Sequence, residues 1–358
     1  MSVHEILIAV MAGFAVIGAL DRILGNRLGL GQEFEDGIMA MGSLAMAMLG
    51  IISLAPVLAA VLRPVVVPVY AFLGADPAMF AGTILACDMG GGSLAQEMTA
   101  DPQAALLGGV ICGSMLGATI VFTIPVAMGI LREGDRPALA KGILAGLVTI
   151  PVGILVGGLV AGFPVGMVLR NLIPVVVIAV LIALGLWKAE KAMITGFGWF
   201  GKGITALITA GLAAAIVEEL TGFVLIPGLA PLEDGFQTVG AIAIVLAGAF
   251  PLVAVLTRVL KKPLMKLGHL LGINDTAAAG LVATLANSIA TFGLVKDMDQ
   301  RGKVVNIAFA VSAAFVFGDH LGFTAGFAPE MLPAVILGKL AGGVSAVAVA
   351  LFLTRKES

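Results

Sequence analysis

The stretch from residue 77 to residue 98 reads PAMFAGTILACDMGGGSLAQEM, and its placement decides the fold. A helix that crosses a bilayer needs about 20 largely apolar residues, so the stretch is long enough to span. Its middle, however, is Cys87, Asp88, Met89 and the glycines 90 to 92, followed by Ser93. Each glycine weakens a helix by about 1 kcal/mol relative to alanine. Non-helical backbone at membrane depth survives only where protein or a water-filled cavity supplies its hydrogen bonds. The expected structure is therefore a re-entrant hairpin over 77–98, its tip at Gly90 and Gly91 beside a polar cavity. A second stretch, 277–295, has the same character: Thr284, Asn287, Ser288 and Thr291 interrupt it, and Asn287 and Ser288 mark its tip.

Composition sets the solvent. With 60% hydrophobic and 12% charged residues and a mean hydropathy of +1.12, the chain reads as an all-α polytopic membrane protein. The 48 glycines suit close helix packing in lipid, and a net charge of -2 gives no reason to expect a nucleic-acid partner. Cys87 and Cys112 fall in apolar stretches and read as packed thiols. Val3 to Leu20 lacks a basic leader and a small-residue cleavage site, so it is a first membrane helix. Further spans are expected over 37–62, 104–131, 143–163, 172–187, 204–221, 238–259, 304–327 and 332–353, about nine crossings by the length criterion. Two amphipathic pieces, 63–74 and 260–272, should lie along the interface.

Charge placement supports the hairpins. If both interrupted stretches enter and leave by one face, only Arg63 and Arg170 of the 20 Lys and Arg residues lie on the outer side. Lys339 falls within a helix, and the rest gather on the other side. If both cross instead, the basic residues divide almost evenly. The positive-inside rule favours the first arrangement, with the amino terminus outside and the carboxyl terminus in the cytoplasm.

That choice also makes the chain two inverted repeats. Asp36, Gly37, Gly42, Gly50, Gly74 and Gly82 recur as Asp234, Gly235, Gly240, Gly248, Gly272 and Gly280, displaced by 198 positions, and Gly117, Phe122 and Thr123 are echoed by Gly318, Phe323 and Thr324. The expected division is a first repeat over 1–163, a connecting helix and cytoplasmic loop over 164–203, and a second repeat over 204–358. Antiparallel halves around a shared midplane site are the plan of many secondary transporters.

Few ionisable residues lie at membrane depth. A charge at the bilayer centre costs about 2.5–3.5 kcal/mol even on the lenient insertion scale, so it usually faces a cavity, a partner or a substrate. Asp88 sits at the first hairpin tip, and Asp319 and His320 fall in the middle of the helix beginning at Val304. The alternative for the two aspartates is capping of broken helices, and a buried neutral imidazole needs no substrate. Glu218 echoes Asp21 at an offset of 197, which suggests a structural role at helix ends.

The segments GQEFEDGIMAMGSLAMAMLG (31–50), FAGTILACDMGG (80–91), GSMLGATIVFTIP (113–125) and GAIAIVLAGAFPLVAVL (240–256) resemble the ethanolamine-utilisation permease family, EutH. The resemblance covers nearly the whole chain and implies a bacterial inner-membrane permease, not an enzyme, that admits ethanolamine. Some family members carry a longer hydrophilic tail than the one ending here at Ser358.

The residues suit such a cargo. Ethanolamine is a small ammonium with one hydroxyl, calling for a carboxylate, hydrogen-bonding groups and an aromatic face. Asp88 and Asp319 supply charge; Ser93, Thr119, Asn287, Ser288 and His320 are candidates for the hydroxyl; Phe122 and Phe323 are candidates for the cation, although packing is the commoner role of such a residue. Asp76, Glu97, Asp101, Glu233, Asp234 and Glu330 would make the outer mouth attractive to a cation. The mechanism expected is alternating access with the two tips enclosing the substrate, by facilitated diffusion. No cofactor is expected, and the coupling ion and any homo-oligomer stay open. An ammonium-type channel is the main rival. An intramembrane aspartyl protease is disfavoured because Val316, Phe317, Gly318 and Asp319 replace the Gly-x-Gly-Asp signature of those enzymes.

Overall fold

The computed structural model describes residues 2–355, and among them every regular element is helical. In chain order these are α1 (Val3–Ile23), α2 (Leu30–Phe72), α3 (Ala78–Ile84), α4 (Gly91–Met98), α5 (Pro102–Ile130), α6 (Arg136–Val160), α7 (Val165–Thr221), α8 (Leu232–Leu271), α9 (Asp275–Ala286), α10 (Ser288–Leu294), α11 (Gln300–Ala313), α12 (Asp319–Phe327) and α13 (Leu332–Leu353). Eight helical stretches are long and apolar enough to cross a membrane, α7 supplying two of them on either side of a non-helical Ala189. This is a multi-pass membrane protein.

Local sequence sets many of the boundaries. Ser2 caps α1 in a reciprocal box with Glu5. Asp101 accepts from the amides of Gln103 and Ala104 and precedes Pro102, a proline in the first turn, where its missing N–H costs nothing. Asp21, buried at the end of α1, accepts from Leu28, Leu30 and Gly31 N–H at 2.9, 2.8 and 2.9 Å and so secures the start of α2.

Both interrupted stretches double back. The Thr99 hydroxyl donates to Asp76 at 2.9 Å, although 23 positions separate the two residues. A continuous helix would put them about 34 Å apart at 1.5 Å per residue. At the other end of the chain, Asn274 N–H donates to the Asp299 carboxylate and its side-chain amide to the Asp297 carbonyl, both at 3.0 Å. Inside the second hairpin the Thr291 hydroxyl reaches the Gly280 carbonyl at 3.0 Å and lies 2.8 Å from the Thr284 hydroxyl. Each hairpin is thus closed at its base by a polar clasp.

Small residues let backbones meet. The α5 glycines 108, 109, 113 and 117 lie against Ala78, Gly92, Cys87 and Leu85 of the first hairpin, forming a ridge that receives it. Along 106–117 and 119–123 this helix is wound with π-type hydrogen bonds. Helices α6 and α13 cross where Gly153 and Gly157 meet Gly338 and Gly342, a GxxxG contact on both partners. Gly37 of α2 touches Ala247 of α8 and Gly235 of α8 touches Leu49 of α2, so these two helices run antiparallel; Gly50 lies on Ile208 and Gly248 on Met11.

Three expectations are corrected. The span expected over 304–327 is two helices, because the chain leaves helical geometry at Ala314 and Phe315 adopts a left-handed φ of 62°. The freed backbone is satisfied from the second hairpin: Phe315 N–H donates to Thr284 O at 3.2 Å and Phe317 N–H to Leu285 O at 2.9 Å. The amphipathic pieces are not separate elements, since α2 runs through Pro56, Pro64 and Pro68 to Phe72 and α8 through Pro251 and Pro263 to Leu271. The connector is helical throughout, apart from the kink at Ala189, where a cytoplasmic loop was expected.

Asp76→Ala removes the acceptor for both Thr99 and the Ala78 N–H. The expected loss is about 1–3 kcal/mol, read as earlier thermal exposure of the buried free thiols Cys87 and Cys112 to a thiol-reactive dye in detergent.

Candidate functional site

The first hairpin tip is built by a chain reversal between α3 and α4. Leu85 is extended, Met89 and Gly91 N–H both return to Ala86 O at 3.0 and 2.9 Å, and Gly90 takes a φ of 92°. That conformation suits glycine, and the side chain of Ile51 fills the space where a Cβ would stand. The turn leaves Asp88 facing inward with its side chain 16% exposed. Across from it, the break before α12 places Asp319 and His320 in the first turn of a helix, not in the middle of one as the sequence suggested.

Asp88, Asp319 and His320 line one cavity of 230 Å³, together with Ser43, Leu44 and Ala47 of α2, Ala86 and Met89 of the tip, Ala118 and Phe122 of α5, and Phe315. Its rings form a connected set: Phe122 meets Phe315 edge-on at 5.3 Å between centroids, and Phe315 lies 5.2 Å from the His320 ring. A second cavity of 420 Å³ adjoins it and shares Asp319; Glu33, Thr257, Arg258 and Asn287 contribute its polar wall. Asp319 therefore stands between the two spaces and is reachable from both.

Behind the first cavity lies a buried lysine. Lys339 is 1% exposed, next to the Gly338 of the helix crossing. Its Nζ donates to the Ser114 carbonyl and lies 3.0 Å from His320 Nδ1. When protonated, this amine can only donate, and then Nδ1 accepts and the imidazole proton sits on Nε2. That nitrogen is 3.7 Å from Asp88 Oδ1, completing a line from Lys339 through His320 to Asp88. Cys87, Asp88 and His320 also present ligand atoms within 4.8 Å of one another, a spacing a metal ion could bridge, but the ammonium on the same imidazole opposes a second cation there.

The other expected residues divide by position. Asn287 lines the second cavity, and its side chain caps α10 by accepting from Ile289 N–H at 2.8 Å. Gly90 and Gly91 shape the tip without lining either cavity. Thr119 is buried and spends its hydroxyl on Met115 and Val311 carbonyls at 2.7 and 3.1 Å. Ser288 is buried outside both cavities with no hydrogen-bond partner among the described residues, and Ser93 is half-buried on α4 away from both. Phe323 is fully buried, stacked on Phe327 at 4.8 Å and packed on Gly92; Phe315 takes the lining place expected of it. Of the acids expected at the outer mouth, Asp76 and Asp101 are engaged in caps and clasps.

A family model described as ethanolamine utilisation protein, EutH, matches residues 3–353. The chain belongs to the EutH family. It is 59% identical over 356 residues to the probable ethanolamine permease EutH of Listeria monocytogenes, covering 99% of this chain and 95% of that one. It is 51% identical to the probable ethanolamine permease EutH of Escherichia coli, covering 100% of this chain and 97% of the relative. An uncharacterized Bacillus subtilis protein, YxeR, is 54% identical over 358 residues, with 100% and 97% covered. No solved structure matches this EutH-family chain.

Gly90→Val should strain the tip by about 1–2 kcal/mol through its left-handed backbone, besides displacing Ile51. In a Cys112→Ser background the expected result is a ~tenfold faster alkylation of Cys87 through local opening, with the native tip as the reference.

Proposed function

We propose that this protein is a carrier that admits ethanolamine across the bacterial inner membrane. The observation that carries the reading is the 230 Å³ cavity between the two broken segments, where Asp88 and Asp319 face Phe122 and Phe315. Two carboxylates in an otherwise largely apolar, aromatic-lined space suit a small ammonium, and Ser43 and His320 offer partners for one hydroxyl. The names of the relatives from Listeria monocytogenes and Escherichia coli agree with this substrate.

Alternating access is the mechanism we favour, with two inverted halves around the cavity. Several paired contacts support it. Gly37 on Ala247 and Gly235 on Leu49 exchange places under the offset of 198, as do the glycines in Gly50 on Ile208 and Gly248 on Met11. Gly117 and Gly318, each at the back of a hairpin tip, rest on the carbonyls of Leu85 and Ala286. The second cavity, sharing Asp319, serves in this reading as the space through which substrate leaves toward the cytoplasm. Metabolic consumption of the substrate suffices to draw it inward, so transport is by facilitated diffusion.

Vesicles containing the native protein should take up labelled ethanolamine saturably, show countertransport, and reach no more than equilibrium under an imposed ion gradient. Asp88→Asn should lower uptake more than ~tenfold at unchanged protein level, since loss of one partner in a buried charge contact costs about 2–5 kcal/mol. Unsaturable flux without countertransport would favour the channel. Single cysteines at the exposed positions Gly74 and Ala100 should both react with an impermeant thiol reagent from the same outer side, and labelling from opposite sides would remove the hairpin and the antiparallel halves with it.

A further inference from the structure

We infer that the Lys339 ammonium is a built-in cation that sets the charge of the substrate site, so that the cavity takes one monocation and rejects dications. The inference rests on the carrier reading above and assigns a specificity role within that site. Lys339 does not line the cavity: it lies behind His320, which does. It is nevertheless part of the same cluster, because His320 lies between Lys339, 3.0 Å from Nδ1, and Asp88, 3.7 Å from Nε2.

The geometry shows what holds the Lys339 amine at this buried position. Among the described residues no carboxylate oxygen lies within ion-pair distance of Lys339 Nζ, and the Ser114 carbonyl and His320 Nδ1 are its acceptors. It is thus hydrogen-bonded by neutral groups, while its charge acts on the carboxylates beyond the imidazole. Two aspartates alone would leave the empty site with two negative charges, which a dication would balance and a single ethanolamine would not. With Lys339 in place the empty site carries one negative charge, and one bound ammonium brings it to neutrality. The Cys87, Asp88 and His320 ligand atoms would otherwise form a workable metal site; the fixed cation on the imidazole opposes a metal for the same reason that it opposes a diamine. Specificity of this kind arises from a repulsive element built against the wrong ligand.

The neighbourhood keeps the ammonium fixed. Lys339 sits between Gly338 and Leu340 on α13, where Gly338 touches Gly153 and Gly157 of α6 and Gly342 touches Gly153 and Ser312. From this crossing the long side chain runs toward α5 and His320, where Nζ meets the Ser114 carbonyl and the imidazole. A lysine held in this way cannot withdraw to the membrane surface, as lysines near helix ends do.

Two measurements in vesicles bearing the full chain test the charge count. On the native protein, labelled ethanolamine uptake is competed with propylamine, 3-amino-1-propanol and 1,3-diaminopropane. The diamine is expected to compete at least ~tenfold more weakly than either monocation, and equal or stronger competition by the diamine overturns the inference. The second measurement compares Asp88→Asn with Asp88→Asn/Lys339→Gln. Removing one carboxylate leaves the empty site neutral, and removing the lysine as well restores a single negative charge on Asp319. The double variant is expected to transport at least ~tenfold faster than Asp88→Asn. A double variant that reaches the membrane in equal amount and stays at the Asp88→Asn rate overturns the inference, because a merely structural lysine would add a second loss and not a rescue. If the double variant does not accumulate, the competition result on the native chain decides alone. Absence of saturable ethanolamine uptake by the native protein would sink the carrier reading; intact uptake with strong diamine competition sinks only the charge count.

Discussion

Backbone hydrogen bonds at the middle of the bilayer are the constraint on which the rest of this structure depends. Water is absent there, and each unpaired N–H or C=O costs several kcal/mol. The chain nevertheless leaves helical geometry three times around the two cavities, at 85–90, at Asn287 and at 314–318. The last break is tolerated because the terminal carbonyls of α9, which an isolated helix leaves unpaired, receive the N–H groups of Phe315 and Phe317. The broken segment at 314–318 and the α9 end before Asn287 thus satisfy each other. Asp319 and His320 follow directly from this exchange, since the α12 helix that presents them restarts only after Gly318 has docked on the Ala286 carbonyl.

Such docking is affordable only with very little side-chain bulk between the backbones. The glycine ridge of α5 receives the first hairpin, and the paired GxxxG contact between α6 and α13 draws two helices to near-touching distance. In lipid the hydrophobic effect does not pull helices together, so close van der Waals packing of this kind has to do so. The same crossing places Lys339 in the protein interior. A further polar tie, the buried ion pair of Lys303 and Asp135 at 2.6 Å, joins the turn before α6 to α11.

Much of this was legible in the residues. The glycines at 90–92 and the polar run at Thr284 to Ser288 are poor helix and poor lipid-facing sequence alike, so both hairpins could be read from local chemistry. Asp88 and Asp319 stood out as isolated charges in apolar surroundings, and the cavity joins them. The break at Phe315 was not legible. Its neighbours, AVSAAFVFGDH, are apolar and carry no glycine at the left-handed position; the conformation is imposed by hydrogen bonds to a segment some 30 positions away, and local propensity says nothing of it. For the same reason Phe315, and not Phe323, lines the cavity. The long helices α2 and α8 were cut short because their ends, 63–74 and 260–272, read as separate amphipathic pieces along the interface. Both helices continue through their prolines, as membrane helices can where neighbouring helices and local adjustments satisfy the freed backbone groups. Lys339 carried a signal that charge counting discarded: a lone lysine inside an apolar helix belongs to neither side of the membrane and had to be explained by what surrounds it.

The clasped hairpins bear on how the protein is made. A half-helix of seven or eight residues, such as α3 or α4, rises only about 10–12 Å, far short of a hydrocarbon core about 30 Å thick. Neither arm can therefore lodge in the bilayer as an autonomous unit during synthesis. The first hairpin is therefore expected to be seated late, after the long helices have been released into lipid and the groove on α5 exists to receive it. Assembly then proceeds in two stages, with the transport pathway formed in the second.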